Sequence, residues 1–472
     1  MKLDLGNYQC AIFDLDGTLL DSTWVWEKID IDFLAKRGIA VPADYMQEIR
    51  NHNFITGSKY VIERFHLNEN AEDIAAEWHE MAQEQYDNVI TLKPGAGAFL
   101  RKLKAQGMKL TVATSSTHTL FEKCLKRNGI YDEVMALLQE QGKEVTEFQG
   151  IMSNPTYAKV QEGAKLCRDH KIDFILAVGG GSVSDCCKAV SAQAKLTSDL
   201  YDYEYQEKKI PQDGIPMGVI VTAACTGSEQ NAGAVITYEE KNWKGALWGT
   251  PASFAVLDPY YTKTVPQKQV LSGAFDTLSH CMETYLGTPR QPNLSDRMNE
   301  AVMRSVIENT RKVAKDPEDM NARSELFWAA AMAENGILKI GKVTDFQAHM
   351  IEHQLGAFTN CNHGRGLAAI QPALYRHLAP AARKQYARLA RNVFDVNGEE
   401  ADDETTLEIA LKGIEKLAAF IREIGLPTTL TELLGEVDDA MLRQVADTAV
   451  ITKGCAKQLT PDEIYVILQE AK

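Results

Sequence analysis

Residues 10–15, CAIFDL, form a short apolar run that suits a buried parallel strand. From about Ser22 to Ile90 apolar positions recur every three to four residues with few Gly or Pro, which predicts helices. Lys93-Pro94-Gly95-Ala96 marks a turn, followed by a helical FLRKLKAQG, a second apolar strand KLTVAT and a helix over roughly 117–127. From about Tyr131 helical and apolar runs alternate: EVMALLQEQ, GKEVTEF, AKVQEGAKLCRDH, DFILAV and the loop GGGS. That alternation predicts βαβ units on a parallel sheet, with IPMGVIVT, AVITYE and SFAVLDP as its remaining strands. From about Thr264 to Lys472 nearly every segment carries the helical period.

Composition narrows the class without naming a chemistry. In 472 residues, 45% are hydrophobic and 24% charged, ordinary for a globular chain with large cores. No run approaches the roughly 18 apolar residues of a membrane span, and the acidic, short-run N-terminus does not read as a secretory signal. Nine cysteines without repeated spacing fit reduced thiols in a cytoplasmic protein better than a disulfide framework. The net charge of −15 argues against nucleic-acid binding, which needs a basic surface. Of the 10 histidines, three fall at 349, 353 and 363.

The first candidate chemistry is Asp14-Leu15-Asp16-Gly17-Thr18, directly after the first strand. Two carboxylates two residues apart in a turn can converge, one attacking phosphorus and the other exchanging a proton. The motif resembles the haloacid dehalogenase superfamily. The resemblance implies Asp14 as nucleophile, Asp16 as acid/base, a Mg²⁺ ion between them, Thr114 as phosphate ligand and 20–92 as a helical cap. That family also uses a later Lys and further acids. Lys143 lies before a strand with no Pro nearby, and DFILAV runs into glycines. Because electrostatic stabilisation is most of this catalysis, residues 1–130 are expected to be an incomplete, vestigial unit. A Mg²⁺-dependent phosphatase or phosphomutase using Asp14 and Asp16 is the alternative function.

The second constellation is fuller. Gly179, Gly180, Gly181, Ser182 and Asp185 follow DFILAV and open a helix, where glycines and free N–H groups can receive a pyrophosphate. Thr222, Thr226, Gly227 and Ser228 follow a second strand and are candidates for the same ligand. Asp276 and His280 stand four apart in a helical segment, and His349 and His353 four apart in another, with His363 beyond. One carboxylate with three imidazoles suits Fe²⁺ or Zn²⁺.

The strings GGGSVSD, TGSE, FAVLDP, GAFDTLSH and HMIEH…NHGRG resemble the iron-containing (group III) alcohol dehydrogenases, in particular the butanol dehydrogenase-like branch, over about 131–472. The resemblance implies an α/β fold: a parallel-sheet nucleotide-binding domain at 131–262, then an all-α metal-binding catalytic domain at 263–472. It implies Asp276, His280, His349 and His363 as metal ligands, His353 as a proton relay and Lys244 beside the cofactor. The implied reaction passes hydride between the carbinol carbon of a small primary alcohol and NAD(P), with the metal as Lewis acid on the alcohol or aldehyde oxygen. A monomer or homodimer is expected. KLTVATSSTHTLFEKCLKRNGIYDEV stands where the family has its first strand, glycine-rich loop and helix. KLTVAT is therefore expected beside GKEVTEF, and Thr114-Ser115-Ser116 in place of glycines is expected to weaken cofactor binding.

Overall fold

The computed structural model describes residues 10–14, 19–49 without 23 and 43, 54–93, 96–97, 100, 109–113, 146 and 148–472 without 264. The chain divides into two compact units, Met1–Gly150 and Ile151–Lys472. Asp16, Thr114–Ser116, the helix over 117–127, EVMALLQEQ and Lys143 lie outside the described residues, as does most of GKEVTEF and with it the expected pairing to KLTVAT.

In the first unit, β1 (Cys10–Asp14) is CAIFD and pairs in parallel with β2 (Lys109–Ala113), Asp14 opposite Ala113. Between them run α1 (Val25–Lys36), α2 (Tyr45–Ile49), α3 (Phe54–Phe65) and α4 (Ala71–Asn88). Residues 19–21 and 91–93 lie side by side as the stem of this helical block, with Lys93 N–H donating to Leu19 O at 2.8 Å and Asp21 N–H to Thr91 O at 2.9 Å. Its helices bury their apolar stripes on one another around Phe33, Leu34, Tyr45, Val61, Ile74, Trp78 and Tyr86. Asn70 caps α4 by accepting from Asp73 N–H at 2.8 Å.

In the second unit, α5 (Tyr157–Asp169), β3 (Ile175–Gly179), α6 (Gly181–Lys195), α7 (Leu200–Tyr205), β4 (Met217–Val221), β5 (Gly233–Tyr238), β6 (Trp243–Trp248) and β7 (Phe254–Val256) form the α/β part. Strands β3, β4 and β7 make a parallel sheet, in register Ile175↔Met217 and Gly218↔Phe254. AVITYE does not complete that sheet, as its apolar run predicts. It is β5, and it pairs antiparallel with β6 in a separate two-stranded ribbon. The cause is local. Glu239–Asn242 turns the chain back at once, with Asn242 in the left-handed region (φ 44°), and strands joined by so short a turn pair antiparallel.

The helical part comprises α8 (Gln267–Tyr285), α9 (Leu294–Lys315), α10 (Met320–Glu334), α11 (Gln347–Thr359), α12 (His363–Leu378), α13 (Arg383–Phe394), α14 (Asp403–Glu423), α15 (Leu430–Leu434), α16 (Asp439–Thr448) and α17 (Pro461–Glu470). Helix α8 is its axis, buried at every position from Val270 to Tyr285. A helix buried all round is ordinarily apolar, yet this one carries Asp276, His280 and Glu283. Such groups need partners inside the protein, and those partners define the site. No helix among the described residues is long and apolar enough to cross a membrane.

Candidate metal centre and nucleotide loop

The four-residue spacing in α8 puts Asp276 and His280 on one face, and α11 lays His349 against them. His363 joins as the first residue of α12, whose N-cap Asn362 accepts from Arg365 N–H at 3.1 Å. Three imidazole Nε2 atoms converge on one oxygen: Asp276 Oδ1 lies 3.8 Å from His280, 3.5 Å from His349 and 3.4 Å from His363. The rings of His280 and His349 stack at 4.5 Å, and Phe346 stacks on His280 at 5.7 Å.

A carboxylate stands behind each imidazole. His349 Nδ1 is hydrogen-bonded to Glu283, His363 Nδ1 to Glu352, and His280 Nδ1 lies 4.0 Å from Glu334. At His349 and His363 the bonded carboxylate favours the Nδ1–H tautomer and frees Nε2 to act as a lone-pair donor, whereas His280 Nδ1 has no hydrogen-bond partner in the protein. Glu283 also accepts from Ala348 N–H at 2.6 Å and thereby caps α11. Neither Asp276 Oδ1 nor His349 Nε2, both buried, has a hydrogen-bond partner in the protein. Burial alone would raise the Asp276 carboxyl, but His280, His363 and His349 hold it well below its ordinary range. Burial opposes charge on His349, yet Glu283 and Asp276 push it up to about 10. The pocket therefore demands positive charge; Asp276, His349 and His363 bring their ligand atoms within 4.8 Å of one another, and with His280 3.8 Å from Asp276 Oδ1 the donor types suit a divalent ion of the Fe²⁺ or Zn²⁺ kind.

His353, one turn beyond His349 on α11, is buried with an unpartnered Nδ1. Burial and the charge of Lys244 push it well below its ordinary value, so it is neutral. Lys244 lies on β6 and faces Glu352, its Nζ 3.4 Å from Oε2.

The glycine loop sits at the carboxyl edge of the parallel sheet, where open α/β sheets bind ligands. Gly179 ends β3, Gly180 is the N-cap of α6 without a side-chain cap, and Gly181 opens the helix. Thr222 N–H donates to Gly179 O at 3.0 Å and draws the end of β4 alongside. Gly181 packs directly on the Thr226 side chain, leaving no room for a Cβ. Ser182 is half-buried at the same edge.

Asp185 and Ser228 face the other way. Asp185 Oδ2 accepts from Val235 N–H at 2.9 Å, and its Oδ1 is bonded to Ser228 Oγ. Lys188, fully buried, donates to Ser228 O at 2.8 Å and Oγ at 2.6 Å and pairs with Asp185 at 3.2 Å. These residues brace the loop from behind, with Gly227 in the left-handed region (φ 59°) turning the chain between them. Sequence reading missed Lys188, Glu283, Glu334, Glu352 and Phe346. The i, i+3 spacing of Asp185 with Lys188 is the available signal for Lys188.

A nucleotide-type loop on a parallel sheet, followed by helices that bury one carboxylate and three imidazoles, defines a protein class that pairs a dinucleotide fold with a metal centre. Residues 94–259 match the iron-containing alcohol dehydrogenase model, and 270–472 match the C-terminal model of the Fe-containing alcohol dehydrogenase family. Residues 11–147 match the haloacid dehalogenase-like hydrolase model. The chain is 38% identical over 353 residues to the probable NADH-dependent butanol dehydrogenase 2 of Bacillus subtilis, covering 73% of this chain and 89% of the relative. It is 33% identical to the NADPH-dependent aldehyde reductase YqhD of Escherichia coli, over 74% of this chain and 90% of the relative. The crystal structure of E. coli YqhD aligns with a TM-score of 0.66, covering 74% of this chain and 89% of that one. That of NADH-dependent butanol dehydrogenase A from Thermotoga maritima aligns with a TM-score of 0.67 at 28% identity, covering 81% and 96%. The chain belongs to the iron-containing alcohol dehydrogenase family, and its N-terminal region is haloacid dehalogenase-like.

Proposed function

We propose that the protein interconverts small primary alcohols and aldehydes with NAD(P), at a divalent ion, Fe²⁺ or Zn²⁺, held by Asp276, His280, His349 and His363. The convergence of three Nε2 atoms on Asp276 Oδ1 carries this reading. When bound, the ion supplies Lewis-acid polarisation of the substrate oxygen. The chain's own residues do the rest. Glu283, Glu334 and Glu352 orient the imidazoles, Gly179–Ser182 with Thr222 and Thr226 receive the cofactor's pyrophosphate at the start of α6, and neutral His353 accepts the alcohol proton at Nδ1. Asp185, Gly227 and Ser228 support cofactor binding by holding that loop.

The division into an incomplete unit at 1–130, a nucleotide-binding part at 131–262 and a catalytic helical part at 263–472 belongs to the same proposal. Oxidation of NADH and of NADPH with butyraldehyde tests it. Turnover is expected, and His349→Ala is expected to lose both turnover and bound metal. A flat trace from wild-type protein with metal bound overturns the reading.

The second reading, Mg²⁺-dependent phosphoryl transfer, is favoured by the haloacid dehalogenase match and by Asp14 ending a strand in a parallel pair. Phosphatase turnover abolished by Asp14→Asn would support it.

A further inference from the structure

The family resemblance puts Lys244 beside the cofactor, but its ammonium is committed elsewhere. It is 3% exposed, and the only acid it pairs with among the described residues is Glu352, itself fully buried. The pair has a made-to-measure chamber. A Cβ on Gly356 would stand 2.8 Å from Lys244 Nζ and 3.3 Å from Glu352 Oε1, and one on Gly366 would stand 2.9 Å from Glu352 Cγ. Gln354 Nε2 donates to Lys244 O at 3.1 Å, so α11 and β6 are tied at two points.

Glu352 in turn holds His363 Nδ1. Among the three imidazoles on Asp276, His363 is the one that most needs holding. It is the first residue of α12, after a turn with Asn360 in the left-handed region, and its side chain is 24% exposed against 3% for His349. Helix register alone does not orient it.

We infer that Lys244 is a positioning residue for the metal centre: by fixing Glu352, it sets the orientation of His363, and so couples the β5–β6 ribbon to the metal site. The inference rests on the metal-centre reading above and gives Lys244 a role there. The geometry is serial, Lys244 on Glu352 on His363, so the effects of breaking either link should not add.

The test is cobalt(II) affinity by chelator competition, with the visible absorption of the bound ion as a second readout. Lys244→Met and the near-isosteric Glu352→Gln are each expected to weaken cobalt binding by about 10- to 100-fold and to shift the cobalt spectrum. The double variant is expected to be no weaker than Glu352→Gln alone. Ile421→Val, a core change in α14, is expected to leave the affinity within about twofold, since distant sites act independently. Wild-type affinity and spectrum in Lys244→Met, additive losses in the double variant, or an equal loss in Ile421→Val would each overturn the inference. Failure of wild-type protein itself to bind cobalt would instead overturn the metal-centre reading, and this inference with it.

Discussion

Gly227→Ala probes the point where the nucleotide loop abuts the helical domain. Gly227 has φ 59°, and a Cβ there would press into the carbonyl oxygen of Ala330 on α10 and come within 2.8 Å of Glu334 Cβ. The left-handed backbone costs a non-glycine residue roughly 1–2 kcal/mol. The collision adds overpacking of about 1–3 kcal/mol, since a helix carbonyl cannot rotate aside. The expected loss is therefore about 2–5 kcal/mol, a large share of the roughly 5–15 kcal/mol by which proteins are stable. Gly336→Ala supplies the reference. Gly336 has φ +88° and nothing within 4 Å of its Cβ position, so it should lose only the backbone part. Urea unfolding of both variants separates the two contributions. The displaced turn also carries Asn231, whose Nδ2 donates to Glu334 at 3.2 Å, and Glu334 stands behind His280. NADH and metal affinities should therefore both fall in Gly227→Ala. Equal destabilisation of the two variants would refute the packing of the loop on α10.

Glu283→Gln should weaken zinc binding by about 10- to 100-fold, because an amide cannot both accept from His349 Nδ1–H and cap α11 without misplacing its NH₂; unchanged affinity in a chelator competition would refute it. Lys188→Met should cost about 3–5 kcal/mol in urea unfolding, since it strands buried Asp185 and the carbonyl of Ser228. A loss under 1 kcal/mol would show that the cation is dispensable. Burial raises the Glu204 carboxyl to about 7, opposed by its bond from Trp248 N–H. The folded state then holds this proton more tightly than the unfolded chain. Stability should fall as pH rises from about 4.5 to 7, and Glu204→Gln should flatten that slope in thermal melts.

The parallel strands β3 and β4 and the helical pairing of Asp276 with His280 are legible because each is written locally. FILAV and MGVIV carry no charged residue and end against glycine and threonine, and Asp276/His280 share a helix face by spacing alone. The ribbon strand β6, WKGALW, was not legible. A lysine stands inside it, and its pattern of one buried pair and then alternation matches no single period. Nor were the outer carboxylates. Glu283 serves an imidazole 66 residues away on another helix, and Glu352 serves His363 rather than His353, its chain neighbour. Asp185 lies in the glycine motif, which predicts that it faces the cofactor. Its position one turn into α6 rotates it to the inner side, onto Lys188 and β5.

The charges around the centre explain why these carboxylates take different partners. Asp276 and the three outer glutamates bring four negative charges within reach of the imidazoles. Two are matched by ammoniums, Glu352 by Lys244 at 3.4 Å and Glu334 by Lys339 at 2.7 Å. Asp276 and Glu283 have no lysine or arginine partner among the described residues, which leaves a formal charge of −2 with the imidazoles neutral. Buried charge without compensation costs several kcal/mol per group, so Asp276 and Glu283, both buried on α8, call for positive charge beside them, which a protonated His349 answers only in part. With Glu352 and Glu334 matched by Lys244 and Lys339, the acids left without a lysine or arginine are Asp276 and Glu283, and the proposed divalent ion would balance these two once the imidazoles are neutral.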